Sequence, residues 1–408
     1  MPQIFPSIFN ASTGNSSNTV NISVIGMNGS GKSGRHLLVL VNVFCIAFVV
    51  KYLTKRFITE YAPYLISTGK KSRIFALKMI SKLYLRQASQ GLDSKAIKEA
   101  ELHRKFLNTP HKNVIRWHES FHTPLYFCNL FDFSGVSLFD LIESLPSGKI
   151  REEKHIYKIA RDVLRGLLYV HSKGIVHRDL KSENILISFN QVAKIADFGV
   201  SREIPPGDGL MNTFVGSLPY LAPEVILSAK PEIKDYLRVS KKTDGYTKDV
   251  DFWSFGILLC EMATGEYPFE KHLSSRYSEN EEQLNRAVLR EICSPRKTPI
   301  PDSIRIKFPS LFLVICLLLK KNIHERLADR DIMQHLFFMQ YKNKKIGKLP
   351  LKIKRPDLKE LSRPDELFEN FQCIRCEYRE QAEGIFVPTY QPIENAVCAN
   401  CSLQHINT

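Results

Sequence analysis

The chain has 408 residues, 44% of them apolar, so it can bury a large core and form about two or three domains. Its formal net charge is +15, but no aromatic interleaving or nucleic-acid motif accompanies the basic residues, which argues against a specific nucleic-acid site. The first residues are rich in Ser, Asn and Pro and lack a basic region, so they resemble a disordered segment more than a secretory signal peptide. We predict that residues 1–18 are disordered.

Residues 26–33, GMNGSGKS, form a complete G-x-x-x-x-G-K-S motif after an alternating strand over 20–25. In such a loop the backbone N–H groups surround phosphates, the Lys reaches their outer oxygens and the Ser holds magnesium. The phosphate-binding residues would be Gly26, Gly31, Lys32 and Ser33. Together with residues 51–61, the motif resembles the P-loop, first helix and first switch of a Ras-related small GTPase. Neither D-x-x-G nor N-K-x-D follows, so we predict an incomplete Ras-like segment over 19–66 and no working GTPase.

This segment contains an insert over 35–50, and its core from residue 37 to 50 is nearly all apolar. Its 14 residues fall short of the roughly 18 to 20 that cross a bilayer. Three interpretations stay open for it: a buried helix or strand, a segment that contacts a membrane, or translated non-coding sequence.

Residues 75–80, FALKMI, are typical of a strand that carries a single lysine, Lys78. A helical pattern follows from residue 95 to 106, and it places Glu99 where its side chain can reach back to Lys78. Glu101 lies on another helical face and is the weaker partner.

Residues 177–184 read HRDLKSEN, and Asp197-Phe198-Gly199 follows thirteen residues after the Asn. Phosphoryl transfer needs a carboxylate beside the attacking hydroxyl, cations on the triphosphate and metal ligands that hold both in line. The two motifs, in this order and at this spacing, resemble those of eukaryotic protein kinases. The resemblance implies an α+β, two-lobed fold that uses ATP and Mg²⁺. The implied catalytic residues are Asp179, Lys181 and Asn184, and the implied nucleotide and metal contacts are Lys78, Glu99, Leu130, Asp132, Phe133, Leu186, Asn184 and Asp197.

Three further motifs extend the resemblance over roughly residues 70–340. Ala222-Pro223-Glu224 resembles the anchor that ends the activation loop, and Arg326 lies where kinases place an Arg that pairs with this Glu. Asp251 begins a segment that resembles the buried helix supporting the catalytic loop. One motif is absent: no G-x-G-x-x-G lies about 20 residues before Lys78, and residues 55–66 contain no glycine.

Smaller features favour the serine/threonine class, because Lys181 follows Asp179 by two positions and Ser217 keeps a hydroxyl where such kinases usually have Thr. Residues 216–224 and 265–269 look most similar to the checkpoint effector kinases of the calmodulin-kinase-like group. A phosphate on Thr213 would pair with Arg178 and order the activation loop. An insertion around 230–245 is Lys-rich, so we predict a solvated surface loop there.

Four of the nine cysteines form two C-x2-C pairs near the carboxyl terminus. These are Cys373, Cys376, Cys398 and Cys401. Two such knuckles complete a tetrahedral S4 site for zinc, which would allow a tail poor in apolar residues to fold. Four incidental thiols and two separate redox pairs are the alternatives. The other five fall in apolar segments and are predicted to be buried thiols that need no oxidising compartment: Cys45, Cys128, Cys260, Cys293 and Cys316.

The predicted organisation is therefore a kinase domain over 67–340, a basic linker over 341–364 and a zinc-binding module over 365–408. The linker favours a solvated chain, with nuclear import or an anionic partner as alternatives. We expect a protein serine/threonine kinase in the cytoplasm or nucleus that acts on protein substrates. A pseudokinase or scaffold without the glycine-rich loop is the rival interpretation, and a nucleotide switch run by the P-loop is a third.

Overall fold

The computed structural model describes residues 10–12, 19–31, 34–42, 59–68, 71–81, 93–122, 126–204, 210–229, 245–274, 281–327, 329–349, 371–372 and 379–380. The chain divides into two units. Unit 1 comprises residues 1–109, 116–133 and 355–408, and unit 2 comprises residues 110–115 and 134–354.

Unit 1 contains a seven-stranded sheet with the strand order β1-β2-β3-β4-β5-β7-β6. Its strands are β1 (Asn10–Ser12), β2 (Thr19–Gly31), β3 (Gly34–Asn42), β4 (Thr59–Thr68), β5 (Lys71–Ser81), β6 (Trp117–His122) and β7 (Tyr126–Asp132). β3 and β4 pair in parallel, and the other neighbouring strands pair antiparallel. The helix α1 (Asp93–Arg104) contacts β6. The predicted lysine strand is the inner strand β5, where aromatic and apolar residues favour a sheet with neighbours on both sides.

The predicted P-loop is wrong for the part of it that the structure describes. β2 stays extended through Gly26 and Gly31, and Gly31 pairs with Gly34 of β3. A P-loop must curl so that successive N–H groups converge on a phosphate, whereas a strand directs them alternately to opposite sides. Lys32 and Ser33 lie outside the described residues.

Other boundaries near the amino terminus also differ from the prediction. Residues 10–12 pair with β2, so this part of the segment predicted to be disordered is a strand. β4 runs across the predicted boundary at residue 66 and pairs with β5 along its length, because ten consecutive extended residues form one ladder. It also includes residues 59–61 of the predicted Ras-like switch. The first part of the apolar insert is in β3, and residues 43–50 lie outside the described part. Among the described residues, none of the helices combines the length and apolar character needed to cross a bilayer.

Unit 2 is mainly helical. Its helices are α2 (Leu138–Ser144), α3 (Glu153–Ser172), α4 (Pro223–Leu227), α5 (Asp249–Thr264), α6 (Pro268–Ser274), α7 (Glu281–Cys293), α8 (Asp302–Lys307), α9 (Pro309–Leu318), α10 (Asp329–Ile332) and α11 (Leu336–Met339). α5 is mainly apolar and buried along almost its whole length, as expected for a central helix. It contacts α3 and α9. Gly265 ends it at φ 75°, and a Cβ there would lie 2.2 Å from the Gly148 carbonyl oxygen.

Short strands in unit 2 position the candidate site. They are β8 (Val136–Ser137), β9 (Ile175–Val176), β10 (Ile185–Ile187), β11 (Ala193–Ile195) and β12 (Arg202–Glu203). β10 and β11 form an antiparallel hairpin that begins directly after Asn184 and ends two residues before Asp197. Two more short strands, β13 (Phe371–Gln372) and β14 (Arg379–Glu380), pair antiparallel in unit 1.

Part of the predicted solvated linker packs within unit 2. Residues 341–349 belong to unit 2, where Leu349 is 4% exposed. The Tyr341 hydroxyl donates to Glu153 Oε2 at 3.0 Å. Lysine-rich composition indicated solvent contact, but it does not report where the backbone and the apolar residues of the same segment bind.

Candidate active site

Lys78 and Glu99 form the ion pair that the sequence predicts in unit 1. Lys78 Nζ donates to Glu99 Oε1 at 2.6 Å, and the two side chains are 4% and 1% exposed. Glu101 is exposed, which agrees with its place on another helical face. A buried pair fixes an ammonium group because leaving either partner alone in the interior is costly. Leu130 is buried on β7, and Asp132 and Phe133 at the end of this strand are partly exposed.

The catalytic loop of unit 2 is fixed by a buried carboxylate at the start of α5. Asp251 accepts the backbone N–H groups of His177 and Arg178, each at 2.8 Å, and His171 Nε2 lies 2.7 Å from it. Burial alone would raise the pKa of Asp251, but the His171 hydrogen bond, nearby positive charge and the backbone donors keep it below its ordinary value. These bonds hold Arg178 at φ 67°, a left-handed conformation that few side chains adopt.

Asp179 is surrounded by donors from two segments. Its Oδ1 accepts the Ser217 N–H at 2.8 Å, and its Oδ2 accepts Asn184 Nδ2 at 3.2 Å. Lys181 Nζ donates to Ser217 Oγ at 2.7 Å and lies 3.4 Å from Asp179 Oδ2. The structure therefore brings together the predicted carboxylate, lysine, amide and hydroxyl. The Asp179 side chain is 15% exposed, so a ligand can still reach it.

Asn184 and Asp197 lie at the two ends of the β10–β11 hairpin. The Ala196 N–H donates to the Asn184 carbonyl at 2.8 Å, which ties the two ends together. Asp197 has φ 59°, and its Oδ1 accepts the Gly199 N–H at 3.2 Å. Buried Phe198 packs edge-on against His177, with ring centroids 5.0 Å apart. Leu186 lies on β10 and is partly exposed.

These two residues offer the donor atoms that Mg²⁺ prefers. Asn184 donates through Nδ2 to the Asp179 side chain and, at 2.8 Å, to its carbonyl, an orientation that leaves the amide oxygen as the ligand atom. Asp197 contributes a carboxylate. Mg²⁺ in phosphoryl-transfer sites usually takes one or two such oxygens and completes its shell with phosphates and water, so these residues fit the ion.

The activation segment is tied to the catalytic loop through a buried tyrosine that sequence reasoning missed. The Tyr246 hydroxyl donates to the Thr213 carbonyl at 2.7 Å and accepts from Arg178 Nη1 at 3.3 Å. Met211 and Tyr246 also exchange two backbone hydrogen bonds, at 2.8 and 2.7 Å. The exposed Thr213 hydroxyl accepts from Arg202 Nη1 at 3.4 Å. A second arginine is thus near Thr213, besides the predicted Arg178.

The predicted pair between Glu224 and Arg326 is confirmed. Arg326 donates to both carboxylate oxygens, at 2.5 and 3.0 Å, and its side chain is 1% exposed. It also donates to the Asp249 carbonyl at 3.0 Å, and its guanidinium lies 5.3 Å from the Trp253 ring centroid. This network joins the end of the activation segment to the central helix.

A buried carboxylate on α5 was not identified from the sequence. Glu261 accepts the Ser182 hydroxyl at 2.7 Å and the Tyr267 hydroxyl at 3.3 Å, and it also accepts the Tyr220 hydroxyl. Burial raises the pKa of Glu261 to about 7. Its position ten residues after Asp251, within an apolar helix, was the only available signal, since an unpaired carboxylate there requires donors.

The cysteines predicted to bind zinc lie outside the described residues. β13 and β14 flank the first C-x2-C pair, and the part of the chain that the structure describes contains no cluster of three or more metal-ligating side chains. Of the five cysteines predicted to be buried, Cys260 is buried, whereas Cys293 and Cys316 are partly exposed. Cys45 and the side chain of Cys128 are not described. The Lys-rich insertion around 230–244 is also outside the described part.

Comparison with known proteins gives one family. The family model described as protein kinase domain matches residues 63–338. The chain is 34% identical over 208 residues to the mitogen-activated protein kinase kinase SIPKK of Nicotiana tabacum, covering 51% of this chain and 52% of that protein. It is 30% identical over 270 residues to the MAP kinase kinase MKK1/SSP32 of Saccharomyces cerevisiae, covering 65% and 48%. The serine/threonine-protein kinase TIO of Arabidopsis thaliana is 30% identical over 259 residues, covering 63% and 17%. The chain therefore spans about half or less of these relatives.

Proposed function

Because the chain belongs to the protein kinase family, we propose that it transfers the γ-phosphate of ATP to a serine or threonine hydroxyl of a protein. The names of its relatives support the serine/threonine class. The observation that carries the proposal is the arrangement at Asp179, where Lys181, Asn184 and Ser217 converge on one accessible carboxylate.

Each polar residue then has a defined role. Asp179 orients the substrate hydroxyl and accepts its proton, and Lys181 stabilises charge that develops on the transferred phosphate. Asn184 and Asp197 would hold Mg²⁺, which would neutralise charge on the triphosphate. Lys78, fixed by Glu99, contacts the α- and β-phosphates. The side chains proposed to contact the adenine side of the nucleotide are Leu130, Asp132, Phe133 and Leu186.

The test is transfer of labelled phosphate from Mg-ATP to a generic serine peptide by the intact chain. Activity should disappear in Asp197→Asn, which removes a metal ligand. A chain that binds Mg-ATP weakly and never transfers phosphate would instead favour the rival proposal of a scaffold. Retention of Asp179, Asn184 and Asp197 together argues against that rival, since a scaffold needs none of them.

The chain departs from other kinases in the glycine-rich loop that lies over the phosphates of the nucleotide. Residues 29–34 read GSGKSG, and the register of β2 and β3, with Gly31 opposite Gly34, is that of a hairpin. This register fits a glycine hairpin that covers the nucleotide phosphates in place of the usual glycine-rich loop better than it fits a GTPase P-loop. Lys78→Met should abolish activity in either case. Lys32→Met should reduce kinase activity only if this hairpin reaches the nucleotide. Equal activity in Lys32→Met and parent would therefore refute the hypothesis that the hairpin replaces the glycine-rich loop.

We infer that Thr213 is a regulatory phosphorylation site. Arg202 already contacts its hydroxyl, and the Tyr246 hydroxyl links Arg178 to the Thr213 carbonyl. A phosphate would add about −1.5 to −2 charges beside two guanidinium groups. Ser217 follows Thr213 by four residues and contacts Asp179 and Lys181. Ordering of the activation loop by the phosphate would therefore also fix the position of Ser217 against these two catalytic residues.

We also propose a kinase branch, a zinc site and a cellular compartment for this protein. Residues 216–224 and 265–269 support the checkpoint effector branch, although the relatives named above carry other names. The two C-x2-C pairs support zinc, and β13 and β14 would flank the first knuckle. Action in the cytoplasm or nucleus fits a kinase of protein substrates, and the described cysteines Cys260, Cys293 and Cys316 are free thiols, as expected in a reducing compartment.

A further inference from the structure

Exposed apolar side chains concentrate on three neighbouring helices of unit 2. Among the described residues, six large apolar side chains are exposed, and four of these belong to α8, α9 and α11. The four residues are between 40% and 78% exposed, and we call them the apolar patch: Ile306, Leu313, Leu336 and Met339. A leucine exposed by itself is ordinary, whereas a group of such side chains marks a surface that binds another molecule.

Contacts between the helices hold the patch in place. α9 contacts both α8 and α11. Gln340, directly after α11, donates through Nε2 to Ser310 Oγ of α9 at 2.7 Å. Phe337 and Phe338 of α11 are buried, so Leu336 and Met339, three positions apart, share the outer face of this helix. The patch is therefore part of a packed surface, and its side chains are exposed without any opening of the core.

The exposed charges around the patch are mainly positive. Within residues 302–318 and 331–345, five exposed cations outnumber the two exposed carboxylates, Asp302 and Asp331. The cations are Arg305, Lys307, Lys342, Lys344 and Lys345. The Lys342 N–H donates to the Met339 carbonyl at 3.2 Å, so the run of lysines begins beside the patch.

We propose that the apolar patch is a docking site for an acidic segment of another protein. The apolar side chains of that segment would cover the patch, and its carboxylates would meet the surrounding cations, which speed association and select the partner. The proposal does not depend on phosphoryl transfer, because none of these residues belongs to the candidate active site.

Charge separates this partner from two other occupants. Two copies of the chain joined patch to patch would bring their cations together, which opposes self-association through this face. A flat anionic membrane would meet the exposed carboxylates of Asp302 and Asp331 as well as the lysines, whereas a peptide segment can place its own charges to match both signs.

The first experiment selects ligands for the intact chain from a display library of random peptides of about 16 residues, enough for a helix of about 24 Å. The double variant Leu313→Asp, Leu336→Asp is used for counter-selection, since both leucines are exposed. Peptides that bind the parent but not this variant should combine a net negative charge with apolar residues. Recovery of no such peptide, or of patch-dependent peptides that are neutral or basic, would overturn the proposal.

The second experiment measures the affinity of one recovered peptide, labelled with fluorescein, by anisotropy. Leu313→Asp should weaken binding by at least about tenfold, and Lys342→Glu by about threefold or more. Leu107→Asp, at an exposed leucine of unit 1, is the matched control and should bind as the parent does. Unchanged affinity in Leu313→Asp would contradict the docking site. If that variant fails to fold, Lys342→Glu alters no apolar contact, and unchanged affinity there would contradict an acidic partner.

Two measurements on the same proteins test the other occupants. Sedimentation velocity reports self-association, and co-sedimentation with phosphatidylserine-containing vesicles reports membrane binding. We expect neither to depend on the patch. Dimerisation or vesicle binding that the parent shows and Leu313→Asp, Leu336→Asp loses would overturn the acidic segment in favour of a second copy or a membrane.

Discussion

Replacement of Asp179 by asparagine tests the proposed catalytic base with little change in shape. Asp179 Oδ1 accepts from the Ser217 N–H, and Oδ2 faces Asn184 Nδ2 and Lys181 Nζ. An asparagine can satisfy only one of these sides, because its amide nitrogen is a donor and meets another donor in either orientation. The negative charge that attracts the substrate hydroxyl proton is also lost.

The expected kinetic loss follows from removal of a positioned base, which typically contributes 10²–10⁴-fold, or about 3–5 kcal/mol of barrier. The expected loss of stability is smaller, about 1–3 kcal/mol, since a donor rather than an empty space faces Asn184. We therefore expect kcat to fall by at least about a hundredfold while the protein stays folded.

The assay is steady-state transfer of phosphate to a serine peptide, accompanied by thermal unfolding of the same samples. Asp302→Asn is the matched control, since that carboxylate is 75% exposed and distant in sequence from the site. A parent-level kcat in Asp179→Asn would refute the assignment of Asp179 as the base. Loss of activity together with unfolding at the assay temperature would assign the effect to structure instead.

Three further predictions concern the surroundings of the site. Arg326→Met should lower the free energy of unfolding by about 3–5 kcal/mol because Glu224 is left without its partner, and adding Glu224→Gln should restore part of this loss in a denaturant double-mutant cycle. Since burial raises the pKa of Glu261 to about 7, the carboxyl binds a proton more tightly in the folded than in the unfolded state. The stability of the parent relative to Glu261→Gln should thus fall by up to about 3 kcal/mol as pH rises from about 4.5 to 7, and stay level above that; a flat difference would contradict it. Tyr246→Phe should lower kcat in protein unphosphorylated at Thr213 by about tenfold, from loss of one or two hydrogen bonds, and phosphorylation should recover most of it; equal effects in both forms would refute coupling through this hydroxyl.

Contacts between charged residues in apolar surroundings were predictable from the sequence. Asp251 lies in the first turn of a helix that is mainly apolar, so its carboxylate had to find donors, and the resemblance to the kinase helix that supports the HRD segment identified them. The same reasoning holds for Glu224 with Arg326 and for Lys78 with Glu99. In each case a buried charge restricts the number of acceptable partners, and a short motif identifies the partner.

Contacts of neutral polar groups were not predictable in this way. The Tyr246 hydroxyl could equally have faced solvent. Nothing in the sequence around it indicates that it donates to the Thr213 carbonyl, 33 positions away. Gln191 and Leu349 are 158 positions apart, and a glutamine in a turn is ordinarily exposed. Such pairs depend on how whole elements pack, which periodicity and spacing do not report.

The predicted linker shows where composition misleads. Lysines at 344, 345 and 348 indicated a solvated chain, and these side chains are indeed exposed. Solvation of side chains does not free the backbone, however, because Gln191 and Lys158 hold its N–H and C=O groups while the charges point outward. A basic run of this kind can therefore make two sets of contacts at once: Gln191 and Lys158 bind its backbone, and its lysines stay available to an anionic partner in solvent.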